Sequence, residues 1–210
     1  MELKERMLEI IKRLSKEYPH AKIALEFNNP IEILVATILS AQCTDERVNI
    51  VTKSLFKKYK TVKDYANADI KKFEQEIRST GFYHNKAKNI INAAKIIMEK
   101  FNGKMPDKMD SLMSLPGVAR KTANIVLGNA FGKVEGIAVD THVRRLSQRL
   151  GLSKNDDPAK IEQDLMNIVP KDEWFRVSYL LIDHGRKICD ARKPLCDKCI
   201  LKNICPKIGV

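Results

Sequence analysis

The sequence has no long apolar run and no apolar segment near its beginning. Its best candidate for a membrane segment, residues 33–39, ends at Ser40, well short of the roughly 18 apolar residues that mark a transmembrane helix. The first six residues, MELKER, are mostly charged and lack the apolar core of a signal peptide. These absences predict a soluble, cytoplasmic protein that does not contact a membrane.

Acidic residues are scarce relative to basic ones. The chain of 210 residues has 38 Lys and Arg against 26 Asp and Glu, which gives a formal net charge of +12. Such an excess favours a polyanionic partner, either nucleic acid or an acidic membrane face. Charge alone leaves open a generally basic soluble protein. The length allows one large domain or two small lobes with a hydrophobic core.

Strand-like alternation, low-complexity segments and internal repeats are also absent, and apolar residues recur at helical spacing almost throughout. Asn29 and Pro30 predict the N-cap and first residue of a helix over 31–41. Further stripes include Leu3, Met7, Ile10, Ile11 and Leu14 in the first helix, Val48, Val51, Leu55, Phe56 and Tyr59 after a Thr44 cap, and Ile70, Phe73 and Ile77 after Asp69. The pattern predicts an all-α protein.

A helical pattern is interrupted at Pro116 and Gly117, neither of which continues a helix well. Apolar residues resume over 122–127, so the sequence predicts helix, tight turn, helix. Backbone N–H groups at the start of the second helix lack intrahelical partners and lie at the positive end of its dipole. With Arg120 and Lys121 beside them, they form a candidate phosphate site.

Four cysteines near the C-terminus have the spacing of a metal site. Cys189, Cys196, Cys199 and Cys205 follow the pattern C-x6-C-x2-C-x5-C within 17 residues, which in an intracellular chain favours metal over disulfides. Spacing alone leaves zinc and an iron–sulfur cluster both open. The remaining cysteine, Cys43, is interpreted as a small buried hydrophobe.

The segment 115–124, LPGVARKTAN, resembles the helix-hairpin-helix of the endonuclease III family of DNA base-excision glycosylases. Asp140, in the motif VDTH, follows Lys121 by 19 residues, as that family requires. The resemblance runs from the first helix to Cys205. It implies a two-lobed, all-α helix-hairpin-helix DNA glycosylase fold. A six-helix bundle would span 22–133, and a helical iron–sulfur lobe would combine 1–21 with 134–210, its cluster loop at 189–205.

The resemblance also implies a chemistry. Lys121 would attack the sugar C1′ of a flipped, damaged nucleotide and form a Schiff base, and β-elimination would then nick the strand. Partial burial and the helix N-terminus would favour its neutral, nucleophilic form. Asp140 would face it across a cleft between the lobes, stabilise the cationic sugar and cap the helix that begins at Thr141. The non-catalytic alternatives are that Lys121 only binds phosphate and that Asp140 only caps a helix.

Two further segments match DNA-contacting elements of the family. SAQCTD over 40–45 carries Gln42, which would fill the hole left by the flipped base, and Asp45, which would line the lesion pocket. In GFY over 81–83, Phe82 would wedge beside the orphaned base. On the residues alone, an ordinary helix end and a core aromatic compete with these interpretations.

Other expected DNA contacts lie near the hairpin and the cluster loop: Gly117, Ala119, Arg120, His142, Arg192 and Lys193. Ala119 stands where a second hairpin glycine is common, so the turn needs a right-handed conformation there or some strain. His142 alone is more typical of a structural hydrogen-bonding residue than of a catalyst.

The resemblance implies one [4Fe-4S] cluster on the four cysteines near the C-terminus, with a structural role. It also implies a monomer that binds double-stranded DNA with damaged bases or abasic sites, in the nucleoid. The function expected is a bifunctional glycosylase and AP lyase, acting on oxidised pyrimidines, although the residues alone do not rank lesions. A non-catalytic DNA-binding protein and an RNA-binding zinc protein are the competing hypotheses.

Overall fold

In the described part of the chain, the regular secondary structure is entirely helical. The structure, a computed structural model, describes residues 2–210, and within them it contains no β-strand. Met1, where the predicted second lobe begins, lies outside these residues. The α-helices are α1 (Leu3–Glu17), α2 (Pro30–Leu39), α3 (Asp45–Lys58), α4 (Val62–Ala66), α5 (Ile70–Ile77), α6 (Tyr83–Lys100), α7 (Met109–Met113), α8 (Arg120–Phe131), α9 (Thr141–Arg149), α10 (Pro158–Ile168) and α11 (Trp174–Lys187). The predicted all-α fold is confirmed.

The helices form two compact units. The first combines the residues up to Ile23 with Gly136–Val210 and contains α1, α9, α10 and α11. The second is Ala24–Glu135, a bundle that contains α2 to α8. Short 3₁₀ turns lie at Arg78–Thr80 and Lys171–Glu173, between helices, and at Cys196–Lys198, after the last helix.

Side-chain caps determine where several of the helices begin. Asn29 Oδ1 accepts a hydrogen bond of 3.1 Å from Glu32 N, and Pro30 occupies the first turn of α2, as predicted. Thr44 caps α3 in the same way. Helix α2 ends at Leu39, two residues earlier than predicted, because the chain turns there and Cys43 N donates to Ser40 O.

The core of the second unit is built around α2. Nine of its ten residues, all except Pro30, are buried, and it packs against α3, α6 and α8. A second part of this core is aromatic: Tyr65 stacks on Tyr59, and Phe73 meets both rings edge-on. Ile70, which the stripe pattern placed in the core, is 43% exposed because it lies in the first turn of α5.

The first unit buries one face of α1. Met7, Ile10 and Leu14 pack in a cluster with apolar residues of α9, α10 and α11. Leu3, predicted as part of this stripe, is 39% exposed, since it begins the helix. Among residues 2–210, no helix combines the length and apolar character that crossing a membrane demands.

Candidate functional site

The helix-turn-helix predicted around Pro116 is present. Helix α7 ends at Met113 and α8 begins at Arg120, two residues earlier than the sequence pattern indicated. Arg120 and Lys121 therefore occupy the first helical turn. Ala119 is extended, with φ −89° and ψ 170°, so the expected choice between a right-handed turn and strain does not arise.

Lys121 is exposed, which corrects the expectation of partial burial. The buried side of α8 is formed by Ala123, Asn124, Val126 and Leu127, and Lys121 lies off that face. Its amine is consequently accessible in the free protein, at the end of α8 where the helix dipole is positive.

Gly117 fits the turn for two separate reasons. Its φ is +77°, in the left-handed region that disfavours residues with a Cβ atom. A Cβ atom added there would also lie only 2.9 Å from Nδ2 of Asn89 on α6. The turn therefore sits directly against α6, and a larger residue would push the two apart.

A cavity of about 220 Å³ opens beside this turn, within the second unit. Its lining includes Gln42, Phe82 and Gly117, three of the predicted DNA contacts, but not Asp45, which is the first residue of α3. Phe82 is 63% exposed, so its interpretation as a core aromatic is wrong. The fold thus brings the hairpin and both predicted wedge residues to one opening.

The same cavity is lined by Lys86, a residue that the sequence pattern did not single out. It is only 4% exposed, and its Nζ donates hydrogen bonds of 2.8 Å to Leu39 O and to Thr80 O. Burial lowers the pKa of Lys86, and the nearby Cys43 thiol opposes that shift. Cys43 itself is half-buried rather than buried, because it lies in the turn that follows α2.

In the first unit, Asp140 is the N-cap of α9, as predicted. Its Oδ1 accepts hydrogen bonds of 2.8 Å from both His142 N and Val143 N. His142 Nδ1 lies 3.2 Å from Nη2 of Arg145, a contact within the fold that favours the structural interpretation of this histidine. Arg144 forms an ion pair with Asp156.

The four C-terminal cysteines line one common cavity, and none of the five cysteines, all of them in the described part of the chain, forms a disulfide. Burial raises the pKa of the Cys199 and Cys205 thiols, and the neighbouring cysteines raise it further. Ionising several thiols so close together is unfavourable unless a cation is bound among them.

N–H groups point at three of these sulfur atoms. Arg149 Nη1 lies 3.4 Å from Cys189 Sγ, Leu201 N lies 3.4 Å from Cys199 Sγ, and Lys207 N lies 3.4 Å from Cys205 Sγ. Donors of this kind stabilise thiolate ligands and tune the electronic properties of the metal group that they hold.

A buried histidine adds a further donor. His184 is 2% exposed; its Nε2 lies 3.3 Å from Cys199 Sγ, and its Nδ1 lies 3.1 Å from the hydroxyl of Tyr18. Burial lowers the pKa of His184 to about 4 and raises that of Tyr18 to about 12. With both groups neutral, Tyr18 donates to Nδ1 and the Nε2–H of His184 points at the sulfur.

The loop between the first two of these cysteines is held by Asp190. Its Oδ1 accepts hydrogen bonds from Arg192 N (2.8 Å) and Lys193 N (3.1 Å), and the N–H groups of Lys193 and Arg192 lower the pKa of Asp190. The side chains of Arg192 and Lys193 are exposed, as contact with a phosphate backbone requires.

Comparison with known proteins decides the family. A model described as the HhH-GPD superfamily of base excision DNA repair proteins matches residues 35–171. Endonuclease III of Synechocystis sp. is 54% identical over 203 residues, which cover 97% of this chain and 93% of that protein. The chain belongs to the endonuclease III family. Its members are bifunctional DNA glycosylases and AP lyases of base excision repair, and so is this protein.

Other endonuclease III proteins agree with this assignment. The Bacillus subtilis protein is 47% identical over 194 residues, covering 92% of this chain and 88% of its own. The solved structure of a non-covalent endonuclease III–DNA complex superimposes with a TM-score of 0.94 at 45% identity, covering 99% of this chain and 97% of that chain. A trapped covalent endonuclease III–DNA intermediate with an estranged adenine gives the same values.

Sequence reasoning missed three residues that contact the candidate segments of the two units: Lys86, Arg149 and His184. Each of them contacts segments that are distant in sequence, namely the ends of α2 and of a 3₁₀ turn for Lys86 and the cysteine loop for the other two. The sequence carried little signal, because Lys86 and Arg149 lie among other polar residues and only His184 closely follows an apolar stretch, residues 180–182.

Gly117→Ala should destabilise this family member more than Gly132→Ala. Both glycines have a positive φ, +77° and +63°, but a Cβ atom at Gly132 meets nothing within 4 Å. Left-handed strain of about 1–3 kcal/mol applies to both variants, and the contact with Asn89 adds to it only at Gly117. Thermal unfolding of the two variants measures the difference; equal losses would show that the turn tolerates displacement from α6.

Proposed function

We propose that Lys121 is the nucleophile of the glycosylase reaction. The observation that carries this assignment is its place in the hairpin: an exposed amine in the first turn of α8, where backbone N–H groups and the helix dipole attract a phosphate. A phosphate bound at those N–H groups brings the sugar of the adjoining nucleotide towards the amine.

The reaction begins with extrusion of the damaged nucleotide from the duplex. The neutral amine of Lys121 forms a bond to C1′, the glycosidic bond breaks, and the base leaves with the electron pair and is protonated. Loss of the amine proton and opening of the sugar ring give a Schiff base. Removal of a C2′ proton then expels the 3′ phosphate oxygen, which nicks the strand, and water releases Lys121.

We assign the electrostatic part of the reaction to Asp140. Its Oδ1 is engaged with two backbone N–H groups of α9, which fixes the orientation of the carboxylate. We assign Oδ2 to the substrate, where a negative charge stabilises the cationic sugar as the base departs and accepts or returns protons.

Lesion recognition belongs, in this proposal, to Gln42 and Phe82. Both are exposed and line the cavity beside the hairpin. Phe82 would wedge beside the base opposite the lesion, and Gln42 would fill the space that the flipped base vacates. We propose oxidised pyrimidines and abasic sites as substrates, with Asp45 completing the lesion pocket.

The four C-terminal cysteines, Cys189, Cys196, Cys199 and Cys205, are proposed to hold one [4Fe-4S] cluster. They share a cavity, and the N–H groups directed at Cys189, Cys199 and Cys205 suit thiolate ligands of a metal group. The resemblance of the cysteine spacing to the cluster loop of the family favours [4Fe-4S] over zinc. When bound, the cluster supplies structural cross-linking of the loop that carries Arg192 and Lys193.

The DNA-binding surface proposed here combines hairpin and loop. Gly117, Ala119 and Arg120 would contact the phosphates next to the lesion through backbone N–H groups and charge. Arg192 and Lys193 would contact the backbone further along, and His142 would support Arg145 in the fold. We propose that the protein works as a monomer on cellular DNA.

Lys121→Gln should abolish both strand nicking and covalent trapping by borohydride on duplex that carries an oxidised pyrimidine. The side chain is exposed, so the fold and the affinity for DNA should remain close to those of the wild type. Gel analysis of borohydride-treated reactions measures the covalent product. Covalent product in the variant would assign the chemistry to another amine.

Asp140→Asn tests the partner. Asparagine also caps helices well, so α9 should stay intact and the melting temperature should change little. Base excision should fall strongly, while nicking of a preformed abasic site, which has no base to expel, should fall less. Equal losses on the two substrates would contradict a role in base departure.

Cys199→Ser should remove the yellow-brown colour, iron and acid-labile sulfide, whereas Cys43→Ser should retain all three. Cys43 belongs to the other unit and is not among the residues that line the cavity of the four cysteines. Iron, sulfide and zinc analyses of anaerobically purified protein measure the content. Stoichiometric zinc without iron, or loss of colour in Cys43→Ser, would overturn the proposed ligand set.

Combined replacement Arg192→Ala and Lys193→Ala should flatten the dependence of log affinity on log salt by roughly one to two units, because two phosphate contacts are lost. The N–H groups of both residues still donate to Asp190, so the turn should persist. Binding to intact duplex across a salt series measures the slope. An unchanged slope would remove this loop from the interface.

A further inference from the structure

Lys86 is a buried cation that the chemistry proposed above does not use. It lies in the first turn of α6 with only 4% of its surface exposed. Burial of an ammonium group is unfavourable unless polar partners compensate. The groups that form hydrogen bonds with the Lys86 ammonium therefore indicate its role in the fold.

Two chain segments end at the ammonium group of Lys86. Its Nζ donates to the carbonyl of Leu39, the last residue of α2, and to that of Thr80, the last residue of the 3₁₀ turn Arg78–Thr80, each over 2.8 Å. Carbonyls at helix ends lack intrahelical partners and lie at the negative end of the dipole, so a cation suits both. Because one nitrogen binds both oxygens, the two segments are fixed side by side.

The residues that follow these carbonyls have unfavourable backbone conformations. Gln42, three residues after Leu39, has φ +53°, and Phe82, two residues after Thr80, has φ +47°. Left-handed conformations are uncommon for residues with a Cβ atom and persist only where the surroundings impose them. The Phe82 side chain is 63% exposed, so packing of that side chain does not impose its conformation.

Lys86 contacts the Phe82 segment a second time. Its backbone N donates to Phe82 O over 3.1 Å, which is the first hydrogen bond of α6, with Phe82 as N-cap. The start of the helix, the end of the 3₁₀ turn and the end of α2 are therefore all joined by this one residue.

We propose that Lys86 is a positioning residue, which bridges the carbonyls of Leu39 and Thr80 and thereby holds Gln42 and Phe82 in the conformation that enters an opened duplex. The inference rests on the proposed function for the role of these two side chains. Lys86, Gln42 and Phe82 line the same cavity. A direct phosphate contact is disfavoured because the ammonium group is buried and engaged with two carbonyls.

The first test compares Lys86→Met, which keeps the length of the side chain and removes its donors, with Lys88→Met, which removes an exposed charge from the same helix. Affinity is measured for duplex with a tetrahydrofuran abasic-site analogue and for intact duplex. Lys86→Met should reduce the preference for the analogue by at least about tenfold. Lys88→Met should leave that preference unchanged. A wild-type preference in Lys86→Met overturns the proposal.

A thermodynamic cycle with the paired replacement Gln42→Ala and Phe82→Ala separates positioning from a general structural role. If Lys86 acts through these two side chains, the loss of preference on Lys86→Met should shrink to less than about twofold in the background that lacks both of them. Equal losses in both backgrounds overturn the proposal, because a residue that merely stabilises the fold would act additively.

Hydrogen exchange of the free protein tests the proposal apart from DNA recognition. Lys86→Met should speed exchange at Cys43 N and Gly81 N, which are bonded to Ser40 O and Arg78 O, with little change in α8. Unchanged exchange overturns the positioning role. If Gln42→Ala and Phe82→Ala leave the preference for the analogue intact, the wedge assignment fails, and exchange still decides the role of Lys86. Lys86→Gln replaces Lys86→Met in all three tests if the latter does not fold.

Discussion

Burial of α2 is the constraint on which the second unit depends. Its apolar residues face inward on every side, against α3, α6 and α8, so α8 and α6 have little freedom to move relative to it. Helix α8 carries Lys121, and α6 carries Asn89, which supports the hairpin turn at Gly117. An apolar helix with no chemistry of its own thus sets the place of Lys121, the proposed nucleophile.

The ends of the helices supply backbone polar groups that the packed interior does not offer. Interior residues satisfy their backbone groups within the helix, whereas the ends leave N–H and C=O groups for other partners. The start of α8 offers its N–H groups to phosphate in the proposed mechanism, and the ends of α2 and of the 3₁₀ turn offer carbonyls to Lys86. At the start of α9, the N–H groups instead bind a side chain of the protein itself, and they fix the carboxylate of Asp140.

In the first unit, polar groups of the helices contact the sulfur atoms of the C-terminal cysteines. Arg149 on α9 and His184 on α11 direct N–H groups at the sulfur atoms of Cys189 and Cys199. A buried neutral imidazole suits this purpose, because its hydrogen bond to Tyr18 Oη fixes the ring and leaves Nε2–H for the sulfur. Asp190 then orients the loop so that Arg192 and Lys193 stay exposed.

Interactions between residues close in sequence allowed much of this structure to be predicted. Helical periodicity, the Asn29, Thr44 and Asp140 caps and the break at Gly117 depend on neighbours within four residues, and the structure has them as predicted. The family resemblance, carried by the motifs around the hairpin and the cysteines, identified the enzyme. Tertiary structure alone decided that Lys121 is exposed, that Phe82 lies outside the core and that Lys86 joins two loops, because burial and long-range hydrogen bonds depend on which distant segments the folded chain brings together.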